Sequence, residues 1–140
     1  MRYVLGKLFF VCILVVLVTG SCKKKSSGGG GSNEPALIVV LNPAAGSVQP
    51  PIPQTDFALT VTVTSTMPSQ GVTIDVSAKK DDGSADPAFF TTSTSTSSAT
   101  SNFTITNTPT SVVCLTTVTV TSKTTPSNKW TGSYRYSRKP

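Results

Sequence analysis

The sequence contains no histidine, and it has only one tryptophan and three cysteines among its 140 residues. The absence of histidine excludes the catalytic arrangements in which an imidazole is the general base. Charged residues make up only 13% of the chain. The 6 acidic residues show no pattern that brings two of them together, as a glycosidase would require. A serine or threonine activated by a lysine stays formally possible, because these residues are abundant, but abundance is not evidence for such a site. We therefore expect no enzyme activity and no cofactor.

The excess of positive charge is confined to one end of the chain. The formal net charge is +6 and the pI is about 9.5, which in itself would suit a nucleic-acid-binding protein. Five of the 12 basic residues, however, lie before Ser26, which leaves seven against six acidic ones from Glu34 onwards. Because nucleic-acid binding needs a clustered positive surface, we expect no nucleic-acid partner.

An uninterrupted apolar run of eleven residues, Leu8 to Val18, follows a short basic segment with Arg2 and Lys7. As a helix it would be about 16 Å long, which is roughly half the thickness of a bilayer's hydrocarbon core. Small residues follow it, as a signal peptidase requires. The pattern predicts a signal peptide over residues 1–21, cleaved after Ser21. The alternative is an uncleaved anchor that extends back through Lys7.

Cys22 lies directly between this leader and a polar segment. Val18, Thr19, Gly20 and Ser21 before Cys22 resemble the lipobox of bacterial lipoprotein precursors, although Thr19 replaces the usual leucine. The resemblance implies that Cys22 is acylated and becomes the mature N-terminus. Two acyl chains on one cysteine would anchor the protein stably. The alternative is an ordinary secretory signal that happens to precede a cysteine.

The segment after Cys22, KKKSSGGGGSN, has no apolar residue, so it cannot bury enough surface to offset the entropy of ordering. We predict a flexible tether over residues 22–35. Its three lysines would lie beside the lipid headgroups and attract an anionic surface. In the family that the leader resembles, an aspartate after the cysteine favours retention in the inner membrane, so Lys23 indicates the outer membrane. Whether the domain faces the periplasm or the exterior stays open.

Residues 36–140 alternate between apolar and hydroxyl side chains. Phe57, Leu59, Val61 and Val63 share one phase, with threonines between them. The same period of two recurs in GVTIDVSA, SNFTIT and CLTTVTV, and it is typical of half-buried strands. No stretch has the helical period.

Turn sequences rich in Gly and Pro separate seven such runs, which predicts a single all-β domain, a seven-stranded antiparallel sandwich of the immunoglobulin type. A small barrel is the alternative. The proline-rich segment from Val48 to Pro53 favours the sandwich, because it suits a strand that leaves one sheet for the other.

The opening LIVVLNPAAGSV and the terminal hairpin from Leu115 to Arg138 resemble bacterial immunoglobulin-like and fibronectin-III-like envelope domains. The chain departs from that pattern in having no pair of sheet-bridging cysteines, and in placing Trp130 at the start of the last strand. The resemblance implies adhesion, spacing or protein interaction. The expected partners are the membrane, through the lipid anchor, and another envelope protein or a glycan.

Trp130, Tyr134 and Tyr136 share one phase of the last predicted strand. If that phase is exposed, the three rings form a platform on which sugars could stack, and a carbohydrate-binding lipoprotein is the alternative function. If the phase faces inwards, the rings are core residues, as a sandwich of this size needs.

Two further features have competing interpretations. The segment DDGSAD contains Asp81, Asp82 and Asp86, which could begin a calcium site, but Asp-Gly is also a turn signal. Cys114 is the one cysteine beyond Cys22, and its strand-like surroundings predict a buried, unreactive thiol.

Residues 89–101 consist almost entirely of serine and threonine after two phenylalanines. We interpret them as a polar hairpin at a sheet edge, with a flexible loop or an O-glycosylated segment as alternatives. Such an exposed strand is open to addition of a partner's strand.

Overall fold

The computed structural model describes residues 33–140, and within them the regular secondary structure is entirely β-strand. The strands are β1 (Val39–Asn42), β2 (Phe57–Val63), β3 (Val72–Lys80), β4 (Phe90–Thr96), β5 (Thr100–Ile105), β6 (Val113–Ser122) and β7 (Lys129–Ser137). The prediction of an all-β domain with seven strands is confirmed. Over the same residues, no helix has the length and hydrophobicity needed to cross a membrane.

The strands form two antiparallel sheets. Sheet A has three strands in the order β1-β2-β5, and sheet B has four in the order β4-β3-β6-β7. Residues of both sheets contribute to one hydrophobic core. This is a two-layer arrangement and differs from the single closed sheet of a barrel.

Alternation decides which side chains enter the core. On β2, Phe57, Leu59, Val61 and Val63 are all buried, while the residues between them are exposed or partly exposed. Strand β3 repeats this with Val72, Ile74, Val76 and Ala78, and β6 with alternate residues from Cys114 to Ser122. Because successive side chains of a strand point to opposite faces, the intervening threonines and serines cover the outer surfaces.

The segment between β1 and β2 leaves sheet A, runs along the edge of sheet B and returns to sheet A at β2. The change of sheet agrees with the expectation from its prolines. Val48 and Ile52 form parallel bridges with Arg135 and Arg138. The Gln49 N–H donates to the Arg135 carbonyl at 2.8 Å, and the Arg135 N–H donates to the Ser47 carbonyl at 2.9 Å. The segment thus lies along the outer edge of β7 and covers part of it.

The side chain of Asn128, in the turn before β7, holds the start of the described chain. Its amide nitrogen donates to Glu34 Oε1 at 2.6 Å and to the Pro35 carbonyl at 2.9 Å. Its amide oxygen accepts from the Leu37 N–H at 3.0 Å. Within the described residues, side-chain contacts to the folded domain therefore reach back as far as Glu34.

Candidate functional site

The aromatic phase of β7 faces the core. Tyr134 is 2% exposed and Tyr136 is 1% exposed. The ring of Tyr136 lies 4.4 Å from that of Phe57 and 5.8 Å from that of Tyr134, measured between centroids. Of the two interpretations of Trp130, Tyr134 and Tyr136, the core interpretation holds for both tyrosines and the exposed platform does not, because a two-layer domain of this size needs their volume in its interior.

Trp130 differs from the two tyrosines because it is only partly buried at the edge of the core. Its six-membered ring lies directly over Gly132, where a Cβ atom would collide with the indole. The two residues share a face of β7 and are two positions apart. A single partly buried indole is therefore what remains of the possible platform.

The hydroxyl groups of the two tyrosines have different surroundings. The Tyr136 hydroxyl is 3.3 Å from the buried Thr108 hydroxyl. Burial raises the pKa of Tyr136 to about 12. Burial also raises the pKa of Tyr134, against the opposing effect of the neighbouring Thr116 hydroxyl, yet neither the Tyr134 nor the Thr116 hydroxyl makes a well-formed hydrogen bond. This pair of buried hydroxyls is a local weakness of the core.

A cavity of about 270 Å³ opens beside these rings. Its walls are mainly apolar and come from β2, β7 and the crossover segment: Pro43, Gln49, Pro50, Ile52, Gln54, Phe57, Ala58, Tyr134 and Tyr136. The only polar side chains besides the tyrosine hydroxyls are the two glutamines. The cavity has no charged group among its lining residues.

A larger, shallow groove of about 460 Å³ lies on the outer face of sheet B. It is lined by residues of β3, β4 and β6, nearly all of them hydroxyl-bearing: Asp75, Val76, Ser77, Thr91, Thr92, Ser93, Thr117 and Thr119. Asp75, its one carboxylate, accepts a hydrogen bond from the Ser93 hydroxyl at 2.6 Å. Alternation places Asp75 on the outward phase, but the groove depends on pairings between strands that the sequence does not reveal.

The three carboxylates of the acidic segment point to separate partners. Asp81 accepts from Arg135 Nε at 2.6 Å, and Asp86 accepts from Lys80 Nζ at 2.8 Å. Asp82 accepts from the Ser84 N–H at 3.0 Å. The Ser84 hydroxyl and, after it, this N–H lower the pKa of Asp82. Gly83 has φ of +77°, as an Asp-Gly turn requires. The segment is a turn, and among residues 33–140 no three acidic or cysteine side chains converge as they would in a calcium site.

Cys114 is buried, as predicted. Burial raises the pKa of its thiol to about 11. Its Sγ lies 3.8 Å from the Val112 carbonyl oxygen. Because the thiolate is the reactive form, this thiol is inert at neutral pH.

The predicted cleavage residue Ser21 and the predicted lipidation residue Cys22 lie outside the described residues. Comparison with protein-family models, with curated proteins and with solved structures found no match to this chain.

Proposed function

We propose that the chain is a bacterial lipoprotein precursor whose folded domain works at the membrane as a non-catalytic module. The observation on which this depends is the position of Cys22 between an apolar leader and a segment of lysine, serine and glycine. Cleavage after Ser21 frees Cys22 as the N-terminus, and its acyl chains insert into the bilayer. The absence of aspartate after Cys22 favours the outer membrane.

We further propose that the domain is an immunoglobulin-like sandwich of the fibronectin-III-like kind. Three features support this: the division into sheets of three and four strands, the order β4-β3-β6-β7 in the larger sheet, and the crossover segment that leaves β1 and joins β7. In this order the chain passes repeatedly between the two layers, as it does in Greek-key sandwiches.

The chemistry of the described surface supports binding or spacing rather than catalysis. Asp81 and Asp86 are engaged by basic side chains, and Asp75 lies in a shallow groove whose other polar groups are hydroxyls. Serine and threonine hydroxyls at their ordinary reactivity are hydrogen-bonding groups and not nucleophiles, since a nucleophile needs an adjacent base. We expect the partner to be another envelope protein or a glycan.

The lipid anchor is tested by intact mass spectrometry of the protein extracted from membranes. The expected mass is that of residues 22–140 with added acyl groups. A Cys22→Ala variant should lose the added acyl mass. Cys114→Ala is the matched control, because it removes a cysteine outside the leader and should retain the acyl mass.

An unmodified mass for the unsubstituted chain would contradict the proposal. A mature chain without acyl groups would indicate an ordinary secreted domain, and an uncleaved chain would indicate a membrane anchor made by the leader. Either result would remove Cys22 from the functional residues.

A further inference from the structure

The four edges of the two sheets are protected to different degrees. β1 is only four residues long. The edge of β7 is covered between Ser133 and Ser137 by the crossover segment. The strands β5 and β4, at the other side of the sandwich, have neighbours on one side only. We call this side, formed by Phe90–Thr96 and Thr100–Ile105, the open side.

Strand β4 is the longest free edge. It has seven residues, FTTSTST, with no proline, no glycine and no charge. Thr91, Ser93 and Ser95 are exposed on the outer phase, and Thr94 is exposed on the inner phase, because sheet A does not extend beneath it. An edge with unpaired N–H and C=O groups is a template for another strand.

The open side also lacks the features that usually prevent edge pairing. Natural edges are blunted by lysines, prolines, bulges or inward-pointing charges. The sequence from Pro87 to Ser122 contains no charged residue at all, and this range includes both strands of the open side. The β7 edge, by contrast, has Lys129 and Arg135 as well as its cover.

We propose that β4 pairs antiparallel with β4 of a second copy of this chain, which joins two B sheets into one sheet of eight strands. A twofold axis at Ser93 places that residue opposite its equivalent, Thr92 opposite Thr94, and Thr91 opposite Ser95. Hydroxyl side chains then face each other at every position between Thr91 and Ser95, and such cross-strand pairs stabilise a sheet.

A second copy fits this edge better than a charged partner does. Antiparallel pairing of a strand with itself is self-complementary, as a twofold interface requires. Because β4 has no charge, the pairing opposes no like charges, and it offers no ion pair that would favour a partner of opposite charge. The pairing uses main-chain groups and hydroxyls only, so it does not depend on the lipid anchor.

The test uses the full chain purified in detergent, with micelles in excess over protein. In Ser93→Cys, oxidation with copper phenanthroline should join the two equivalent sulfurs at the twofold axis. We expect a disulfide-linked dimer on a non-reducing gel, at least fivefold more abundant than in the unsubstituted chain. The matched control is Thr131→Cys, which places an exposed thiol on the other edge strand of the same sheet.

A second substitution tests the edge itself. Thr94→Lys added to Ser93→Cys should reduce cross-linking at least fivefold, while Thr94→Ser should leave it unchanged. Without any new cysteine, sedimentation in density-matched detergent should give a dimer for the unsubstituted chain and a monomer for Thr94→Lys. Thermal unfolding, measured on both chains, is the control that checks whether Thr94→Lys is folded.

Equal cross-linking of Ser93→Cys and Thr131→Cys would overturn the pairing, and so would a monomeric unsubstituted chain. Persistence of the dimer in Thr94→Lys would place the contact at another surface and would also overturn it. The acyl mass at Cys22 is measured on the same samples, so failure of the lipid anchor is read separately.

Discussion

The two lateral sides of the sandwich differ in how their edge strands are covered and in how much side-chain volume they bury. On the side of β1 and β7, which we call the closed side, the crossover segment covers the sheet edge, and Tyr134 and Tyr136 fill the space beneath it. On the open side, β4 contributes threonines to its inner phase, and Phe103 of β5 is only partly buried. The difference indicates that the closed side contributes more buried side-chain volume than the open side, while the open side is available for contacts with other molecules.

The largest expected effect is the truncation of a closed-side ring. Tyr136→Ala should lower the free energy of unfolding by about 3–5 kcal/mol, because a fully buried aromatic side chain leaves a large cavity. Phe103→Ala on the open side should cost clearly less, since its ring is already partly in solvent. Urea denaturation of both variants measures the difference, and equal losses would remove the distinction between the sides.

Alkaline pH should also weaken the core where β6 and β7 pair. The pKa of Cys114 is raised from 9.0 to about 11 and that of Tyr136 from 10.0 to about 12, both first of all by burial. The unfolded chain therefore releases these protons at lower pH than the folded one. The free energy of unfolding should be steady below pH 9 and fall as the pH rises from 9 to 12.

Urea midpoints between pH 7 and pH 12 give this dependence. In Cys114→Ala the fall should begin nearer pH 10, because the tyrosines of the unfolded chain are then the first of these groups to lose their protons. β4 and β5 contain no titratable side chain, so Thr94→Ala serves as the matched control and should keep the profile of the unsubstituted chain. A fall of the same onset and size in Cys114→Ala would show that its thiol does not contribute.

A threonine hydroxyl costs more stability in the core than on the exposed edge strand. Thr116 is fully buried and its hydroxyl has no well-formed hydrogen bond. Thr116→Val should therefore raise the free energy of unfolding by about 1 kcal/mol, since it removes a buried unsatisfied group and keeps the shape. Thr94→Val, at an exposed position of β4, should give less than half that gain. A loss of stability in Thr116→Val would mean that its hydroxyl is bonded to Tyr134 in solution.

The smallest expected effect concerns the partly buried indole of Trp130 at the start of β7. In Gly132→Ala the new methyl group would collide with the six-membered ring of Trp130, so the indole must swing outwards. Because only the far end of a flexible side chain moves, we expect a stability change within about 1 kcal/mol. Tryptophan fluorescence should shift to longer wavelength. Thr131→Ala, on the opposite face, should leave the emission unchanged.

Local patterns in the sequence predicted much of this fold. The phase of Phe57, Leu59, Val61 and Val63 was sufficient to predict a strand and its buried face, and the prolines after Val48 indicated the change of sheet. Alternation alone, however, does not state which phase of a strand faces inwards when both contain large or polar groups. The aromatic phase of β7 was therefore open to two interpretations, which only packing against Phe57 decides.

Contacts between distant residues were beyond prediction. The burial of Thr116 could be predicted, because Thr116 shares a phase with Cys114 and Val118. Its lack of a hydrogen-bond partner depends on the pairing of β6 with β7 and could not be predicted. The same holds for the hydroxyl groove around Asp75, which exists because β4, β3 and β6 lie side by side. The sequence of a single strand reveals its periodicity, whereas the order of the strands in a sheet depends on the whole chain.

The three hydrogen bonds of Asn128 have a mechanical consequence. A force applied to the chain ahead of Glu34 acts first on the turn before β7, because Asn128 in that turn is hydrogen-bonded to Glu34, Pro35 and Leu37. The load is thereby shared with the longest hairpin of the domain before it reaches the pairing of Val39 with Val63. A single amide side chain thus lowers the force that a pull from the preceding segment exerts on the first strand of sheet A.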